Sequence, residues 1–280
     1  MNKSTILSEA LASYSPQQLE VSRRGSGLNA VWKIDINGKP AVLKTYSSRR
    51  GPIKTFLSNI EHFLSGRTPY TPSARYHTER ENLRLWKKAG FDVPDIMEHH
   101  FDPEIPLPHL CLEYVEGSLL SSHLANTSIL DKEKNNVFRE FVEQWANRHQ
   151  AAAQSSNPRL IQEHATLDHV IFSHDRFVTL DLEVSYKRQN IKALIAHEIC
   201  GYMKPLFKRL PDKEADHFLE LLVKHYPHRQ YLEAIYTELL ENPNPLVRLI
   251  HFLDRRLKKR GKTATKFEVA RRLNAKLGHT

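Results

Sequence analysis

The sequence predicts an α+β protein of two lobes, a small lobe built on an antiparallel sheet and a larger, mainly helical lobe. Three observations favour this fold. Residues 19–46 alternate between apolar and polar side chains, and Asn37-Gly38 within them is typical of a hairpin turn. Residues 110–115 form an apolar run that leads into Glu116-Gly117, and from Ile191 onward the chain has helical periodicity almost throughout. We therefore predict an N-terminal lobe at 1–112, a hinge at 113–117 and a helical C-terminal lobe at 118–280.

Helices are expected in both lobes. In the small lobe, apolar residues recur at helical spacing from Ile53 to Leu64, and a second helix at 80–89 ends at Gly90. In the large lobe, residues 132–153 predict a long helix with its aromatic residues on one side.

Composition narrows the class of protein. The chain has 280 residues, 40% of them hydrophobic, which is enough for a sizeable core. No apolar stretch is long enough to span a bilayer, and the first residues lack the apolar core of a signal peptide, so we expect a cytoplasmic protein. Cys111 and Cys200 lie in apolar stretches, which predicts buried thiols and no disulfide framework. The net charge of +9 indicates an anionic partner: nucleic acid, a phosphorylated substrate or an acidic membrane surface.

A candidate metal site lies around Asp181, at the end of the apolar run that begins at Phe177. A buried carboxylate needs a partner that compensates its desolvation, and a metal ion is the usual one, although Asp181 could also be an ordinary strand-end cap. His169 opens a second apolar run, and the turn 173–176 joins the two runs into a hairpin. Glu183 lies two residues beyond Asp181, on the same side of an extended chain. We expect His169, Asp181 and Glu183 to be metal ligands.

Residues suited to phosphate binding precede this hairpin. Gly25 and Gly27 lie in a turn where absent side chains would let backbone N–H groups approach phosphate oxygens. Lys44 ends an apolar strand and could hold an α/β phosphate pair, or simply extend to solvent from an edge strand. Glu81, in the second helix, is our predicted partner for Lys44. Glu79 is the competitor on a different face of the helix, and a surface ion pair along the helix is the alternative for both.

Taken in order, the glycine loop, strand lysine, helix glutamate, hinge, catalytic loop and metal-binding aspartate resemble the protein-kinase-like fold over about residues 19–185. The closest resemblance is to bacterial lipopolysaccharide core sugar kinases, with aminoglycoside and choline kinases more distant. Residues 81–94 look like the helix-to-strand junction of the sugar kinases, and 46–75 resemble their basic insert. The resemblance implies ATP-dependent phosphoryl transfer to a hydroxyl, with Mg²⁺ (or Mn²⁺). It places Gly25, Gly27, Lys44, Glu81 and the hinge residue Glu113 at the nucleotide.

The catalytic loop departs from the superfamily pattern. Such loops carry an aspartate that accepts the substrate proton and, five residues on, an asparagine that binds the metal. Here His164 stands at the first position and His169 at the second. Histidine can act as a base near neutral pH, since its reference pKa is about 6.5, but it brings no negative charge. We assign the catalytic roles to His164 and Asp181, with Glu163 or Asp168 as substitutes for His164. A pseudokinase that binds nucleotide or a partner without turnover, or a shifted loop, is the alternative.

The resemblance also implies the acceptor, a sugar or glycolipid hydroxyl at the inner face of a bacterial membrane. Arg49, Arg50 and Lys54 precede or begin the helix at 53–64, and their charges suit peripheral contact with an anionic membrane, whereas the apolar side of the helix could pack on the small lobe. A protein kinase is a further alternative, but no peptide-docking or activation-loop signature follows Asp181. A nucleic-acid-binding module fits the charge but lacks zinc-ligand spacing and an aromatic-basic motif, so no nucleic acid is favoured.

Overall fold

The computed structural model describes residues 3–19, 29–47, 59–60, 62–63, 66–187, 190–240 and 265–278. Gly25 and Gly27, and the cations Arg49, Arg50 and Lys54, lie outside the described residues. So does the predicted helix at 53–64, apart from 59–60 and 62–63. None of the described helices is both long enough and apolar enough to cross a membrane.

The chain forms two compact units. Unit 1 comprises Met1–Glu116 and Leu180–Lys187, and unit 2 comprises Gly117–Thr179 and Arg188–Thr280. The sequence placed all residues after the hinge in the second lobe, and the structure differs in giving Leu180–Lys187 to unit 1. Hydrogen bonds explain this assignment, because the backbone of 180–187 bonds to side chains and backbone of unit 1 through Asn82 and Thr68. The fold is α+β, with a small antiparallel-sheet unit and a larger, mainly helical unit, as the sequence predicts.

Unit 1 is built on a four-stranded antiparallel sheet in the order β1 (Gln17–Gln18), β2 (Asn29–Ile36), β3 (Lys39–Tyr46) and β4 (His109–Glu113), and α1 (Lys3–Leu11) precedes these strands. The predicted hairpin turn joins β2 to β3, with Asn37 (φ 55°) and Gly38 (φ 78°) both left-handed, as a type I′ turn requires. The apolar side of the sheet packs with residues of α1 and of the loop before β4, including Leu11 and Phe101. The elements of this unit are α1 (Lys3–Leu11), a 3-10 turn (Ala12–Tyr14), β1 (Gln17–Gln18), β2 (Asn29–Ile36), β3 (Lys39–Tyr46), α2 (Pro72–Lys88) and β4 (His109–Glu113).

Helix α2 is longer than the predicted helix at 80–89. It begins at Pro72, after Thr71, whose side chain accepts a hydrogen bond from the backbone N–H of Ala74. Thr followed by Pro is a helix-start signal, because the hydroxyl caps a free N–H and proline lacks the N–H that would go unpaired. The additional two turns carry Arg75 and Glu79 into the buried side of the helix.

Unit 2 begins with Gly117 and contains a three-stranded sheet, β5-β6-β7, together with its helices. Gly117 has a φ of 155°, and a side chain there would collide with the carbonyl oxygen of Phe172. The predicted hairpin is confirmed, since His174 and Asp175 form a left-handed turn between β6 and β7. The elements are β5 (Ser118–Leu119), α3 (Leu120–Leu124), α4 (Asp131–Gln154), 3-10 turns (Pro158–Leu160 and Leu167–His169), β6 (Val170–Ser173), β7 (Arg176–Thr179), α5 (Ile191–Met203), α6 (Leu206–Arg209), α7 (Asp212–His225), α8 (Arg229–Ile235), a π-helical turn (Tyr236–Leu240) and α9 (Lys266–Lys276).

The core of unit 2 forms around α4, as its helical pattern predicts. Phe138, Phe141 and Trp145 share the buried side of α4, and Phe141 and Trp145 contact the ring of Tyr202 from α5. Both cysteines are buried and free, Cys111 in unit 1 and Cys200 in unit 2, so neither forms a disulfide.

Candidate functional site

Lys44 lies on an inner strand of the sheet of unit 1, because β3 pairs with β2 on one side and β4 on the other. Side chains alternate along a strand, so Leu43 enters the hydrophobic core while Lys44 and Tyr46 point to the other face. The whole side chain of Lys44 is buried. A buried ammonium needs compensating charge within the protein.

Three carboxylates supply that charge. The Lys44 Nζ donates hydrogen bonds to Glu79 Oε2 at 2.7 Å and to Asp181 Oδ1 at 2.8 Å, and lies 3.6 Å from Glu183 Oε2. We call Lys44, Glu79, Asp181 and Glu183, together with Arg75, the lysine cluster. All of its members belong to unit 1.

The predicted partner Glu81 is wrong, and Glu79 takes its place. Two residues along an α-helix turn the side chain by about 200°. Glu79 lies on the buried side of α2, where its carboxylate meets Lys44, and Glu81 lies on the exposed side. The sequence contains the signal that identifies Glu79, because it shares a helical stripe with the buried residues of α2, which are Arg75, Thr78, Asn82, Leu83 and Trp86.

Tyr46 fixes Glu79 from the strand. Its hydroxyl donates a hydrogen bond of 2.6 Å to Glu79 Oε2, the same oxygen that accepts from Lys44. Two donors from one strand therefore converge on one carboxylate of the helix. Tyr46 was not among the predicted site residues, although its spacing of two from Lys44 puts both side chains on one face of β3.

Asp181 and Glu183 reach Lys44 from the segment that follows β7. Asp181 has a φ of 61°, so its backbone is left-handed rather than the extended strand that the sequence predicts. Asn82 of α2 holds the next residue, donating to the carbonyl oxygen of Leu182 at 2.9 Å. Asp181 keeps 26% of its side chain exposed, whereas Glu183 keeps 6%.

Arg75 is a second buried cation, which the sequence analysis did not identify. Its Nη1 lies 3.4 Å from both carboxylate oxygens of Glu183 and donates to Asn29 Oδ1 at 2.7 Å. Asn29 in turn donates to Glu183 Oε2 at 2.5 Å, and Arg75 Nη2 donates to the carbonyl oxygen of Ser47 at 2.8 Å. Glu183 is thus held by Arg75 and Asn29 as well as by Lys44.

Burial and the neighbouring charges shift the pKa values of Lys44 and Glu79. Within the described residues, the three carboxylates of the cluster pair with two cations, Lys44 and Arg75. Burial alone would lower the pKa of Lys44, but Asp181, Glu79, Tyr46 and Glu183 outweigh it and hold that pKa well above its usual value. Burial raises the pKa of Glu79, Lys44 opposes this, and the negative charges of Asp181 and Glu183 act in the same direction as burial.

The carboxylates of the lysine cluster fit a divalent cation. Glu79, Asp181 and Glu183 each offer one oxygen, and these atoms lie within 4.8 Å of one another. Carboxylate oxygens are the ligands that Mg²⁺ and Mn²⁺ prefer. Glu79 was not predicted as a ligand.

The predicted ligand His169 and the predicted base His164 both belong to unit 2. Thr166 caps the 3-10 turn that carries His169, whose Nδ1 lies 3.0 Å from the carbonyl oxygen of His164. His164 is 43% exposed, and its Nδ1 lies 2.5 Å from Oε2 of the buried Glu163. Asp168, the other candidate substitute for His164, accepts hydrogen bonds from the Ser121 hydroxyl and from the Arg209 guanidinium.

A second buried ionic group holds the start of this loop. Arg148 donates to the carbonyl oxygen of Leu160 at 2.7 Å and to Glu198 Oε1 at 2.8 Å, and Glu198 Oε1 also accepts from the backbone N–H of Gln162 at 2.9 Å. His149, at 2.6 Å, contacts the other oxygen of Glu198. We call Arg148, His149 and Glu198 the arginine cluster. It fixes residues 160–162, immediately before His164.

Glu113 ends β4, opposite Ala41 of β3. It is exposed, and its backbone N–H donates to the carbonyl oxygen of Asp95 at 2.8 Å while its carboxylate accepts from the N–H of Asp95 at 3.3 Å. The contact of Glu113 with a nucleotide stays a prediction. The contacts of Gly25 and Gly27 also stay predictions, because these residues lie outside the described part of the chain.

No family model and no curated protein matches the chain. Solved structures that are similar to it include WaaP in complex with acyl carrier protein, with 13% identity, 90% of this chain and 91% of that chain covered, and a TM-score of 0.45. An apo pseudokinase has 14% identity over 98% and 95% of the two chains, with a TM-score of 0.45. A thermostable mutant of the aminoglycoside phosphotransferase APH(4)-Ia, in a ternary complex with ADP and hygromycin B, has 12% identity over 98% and 97%, with a TM-score of 0.45. Each of these three is a similarity at 12–14% identity and a TM-score of 0.45.

Proposed function

We propose that the protein is an ATP-dependent phosphotransferase that acts on a hydroxyl of a sugar or glycolipid. One observation carries the proposal: a buried strand lysine, Lys44, is held by the helix carboxylate of Glu79 and by Asp181. Phosphoryl transfer needs a positioned cation for the phosphates and carboxylates for a metal ion. The lysine cluster brings both kinds of group within hydrogen-bonding distance of each other.

In this proposal each residue of the lysine cluster has a role. Lys44 would donate to the α- and β-phosphates, with Glu79 and Tyr46 fixing the direction of its side chain. Asp181 and Glu183 would hold the metal, which when bound neutralises charge on the transferring phosphoryl group. Arg75 would hold Glu183 in place. Gly25, Gly27 and Glu113 would bind the nucleotide, as the sequence resemblance implies.

His164 would accept the proton of the acceptor hydroxyl, and His169 would add a metal ligand. The Nδ1 atom of His164 lies 2.5 Å from Oε2 of Glu163, so this carboxylate would orient the imidazole. General-base assistance contributes about 10²–10⁴-fold, while positioning and charge neutralisation carry most of phosphoryl transfer. A histidine at this position is therefore compatible with turnover.

A pseudokinase is the second candidate, favoured by one observation. His164 stands where an active loop would carry an aspartate, so the protein could bind nucleotide without transferring phosphate. The two candidates agree on nucleotide binding and differ in turnover.

Isothermal titration with a non-hydrolysable ATP analogue, with and without Mg²⁺ or Mn²⁺, tests what both candidates share. We expect metal-dependent binding that Lys44→Ala weakens and Lys33→Ala, a change of another lysine of unit 1, leaves unchanged. Equal affinity in wild type and Lys44→Ala would refute the nucleotide site. Transfer of labelled phosphate from ATP to a panel of sugars and glycolipids then separates the candidates, since a protein that binds ATP but labels no acceptor is a pseudokinase.

We also propose that the basic insert contacts an anionic membrane that carries the acceptor. Arg49, Arg50 and Lys54 precede Ile60 and Phe63, which are 41% and 82% exposed. Cations that are close in sequence to exposed apolar side chains favour an anionic lipid surface, and each cation adds about 1 kcal/mol of attraction. Co-sedimentation with anionic vesicles should be salt-sensitive. It should fall more when these three cations are neutralised than when a matched tail triplet, Lys258, Lys259 and Arg260, is neutralised, and absence of binding at low salt would contradict the proposal.

A further inference from the structure

The ammonium group of Lys44 lies against the same carboxylate oxygens that fit a metal ion. Its Nζ is 2.7 Å from Glu79 Oε2, 2.8 Å from Asp181 Oδ1 and 3.6 Å from Glu183 Oε2. Those three residues form the group whose ligand atoms lie within 4.8 Å of one another. A metal ion bound by all three oxygens would therefore lie close to the ammonium group of Lys44.

The charges of the cluster also disfavour the simultaneous presence of the Lys44 ammonium and a divalent metal ion. Within the described residues of the cluster, two cations face three carboxylates when Lys44 is in place, and a divalent ion would change the sum of these charges to one positive charge. With Lys44 withdrawn, Arg75 and a divalent ion would balance the three carboxylates of the cluster. Like charges a few ångströms apart in a buried site repel strongly, because little water is present to screen them.

We propose that Lys44 and a divalent cation exclude one another from the carboxylates of Glu79, Asp181 and Glu183. Lys44 thus keeps the free protein from binding metal tightly, and the metal binds well only when Lys44 leaves the carboxylates. A phosphate group is the anion that would draw the ammonium away. This inference rests on the proposed function for the presence of a metal, but it requires no phosphoryl transfer.

The inference gives Lys44 two opposite effects on metal binding. Removing its charge should weaken the binding of a metal together with nucleotide, because the phosphates lose a partner. The same change should strengthen the binding of metal alone, because the carboxylates lose their competitor. A lysine that only orients phosphates would show the first effect and not the second.

Mn²⁺ binding without nucleotide, measured by electron paramagnetic resonance of the free ion, is the test. We expect Lys44→Met to bind Mn²⁺ at least tenfold more tightly than wild type. Lys33→Met, which removes a lysine that lies over the ring of Tyr114 instead, should match wild type. Adding Asp181→Asn to Lys44→Met should abolish the gain. Unchanged or weaker binding by folded Lys44→Met, or a gain that survives Asp181→Asn, would overturn the proposal.

A measurement on wild type removes any dependence on the folding of the variant. The rate at which a lysine-acylating reagent labels Lys44, followed by mass spectrometry, should rise as Mg²⁺ is added and the ammonium leaves the carboxylates. Labelling of Lys33 should stay constant. A Lys44 rate that does not change up to saturating Mg²⁺ would overturn the proposal. If Lys44→Met gains Mn²⁺ affinity while wild type phosphorylates no acceptor, the proposed function fails and this inference stands.

Discussion

The lysine cluster of unit 1 and the arginine cluster of unit 2 are both buried groups of charges, but they differ in balance. In the arginine cluster, one guanidinium and one carboxylate pair directly, with His149 beside them, and both charged side chains are almost completely buried. In the lysine cluster, three carboxylates outnumber two cations, and Asp181 remains partly exposed. Breaking a balanced, buried ion pair is costly because it leaves a charge buried without its partner, whereas carboxylates with access to solvent are candidates for binding a ligand.

The largest expected difference is in stability. Glu198→Gln leaves Arg148 buried without a carboxylate, and the amide oxygen that can still accept from Arg148 and from the N–H of Gln162 carries no negative charge. We expect the free energy of unfolding to fall by about 3–5 kcal/mol, the usual cost of breaking a buried ion pair. Asp181→Asn should cost less than about 1 kcal/mol, because Lys44 keeps Glu79 and like charges are relieved. Urea unfolding of both variants measures this, and equal losses would remove the distinction between the clusters.

Asp181→Asn, the variant with the smaller expected effect on stability, should have the larger effect on nucleotide binding. Asp181→Asn removes a proposed metal ligand, and we expect the affinity for an ATP analogue with Mg²⁺ to fall at least tenfold, which is about 1.4 kcal/mol. Without Mg²⁺ the same variant should bind as wild type does. Isothermal titration provides both values, and a loss of equal size in the absence of metal would argue against Asp181 as a ligand.

A smaller effect should separate two glutamates of one helix. Glu79→Gln weakens the fixation of Lys44, so we expect the affinity for metal and nucleotide to fall by about threefold to tenfold, or about 0.7–1.4 kcal/mol. Glu81→Gln changes the same kind of side chain on the exposed side of α2 and should have no effect. If Glu81→Gln caused the larger loss of affinity, Glu81 would be the functional partner of Lys44, as the sequence predicts. The contact between Lys44 and Glu79 would then be irrelevant to binding.

Acid should weaken unit 2 gradually. Burial lowers the pKa of His149, with Glu198 opposing, so the folded protein takes up this proton less readily than the unfolded chain. Stability from this group is present above the unfolded pKa of about 6.5 and is lost as the pH falls below it. Burial would raise the pKa of Glu198, but Arg148 and His149 outweigh it and hold it below the usual value, which adds a loss at lower pH. Unfolding curves between pH 7.5 and 5.5 should show this decline, and His149→Gln should flatten it.

The sequence predicts the fold of each unit because local patterns set it. The Asn37-Gly38 turn, the β6-β7 hairpin and helix α4 all follow from turn residues and periodicity over short stretches. The strand lysine Lys44 and the aspartate Asp181 were also predicted, since a charged residue at the end of an apolar run is conspicuous. In the structure they lie in direct contact.

What the sequence did not predict depends on contacts between distant segments. Glu79 lies outside the predicted helix at 80–89 because α2 begins eight residues earlier, and the capping signal at Thr71-Pro72 indicates the observed start. Arg75 pairs with Glu183, 108 positions away, and no periodicity links them. The membership of Leu180–Lys187 in unit 1 likewise rests on hydrogen bonds to Thr68 and Asn82, which only the folded chain reveals.

The left-handed backbone of Asp181 has an evolutionary consequence. A non-glycine residue in this conformation costs on the order of 1 kcal/mol or more, and glycine would relieve it without moving the chain. Selection for stability alone would therefore drive this position toward glycine. An aspartate here means that the chain gives up folding free energy to keep a carboxylate beside Lys44. Variants selected only for heat resistance should accumulate substitutions at this position, and their loss of ligand binding would come with a more stable fold.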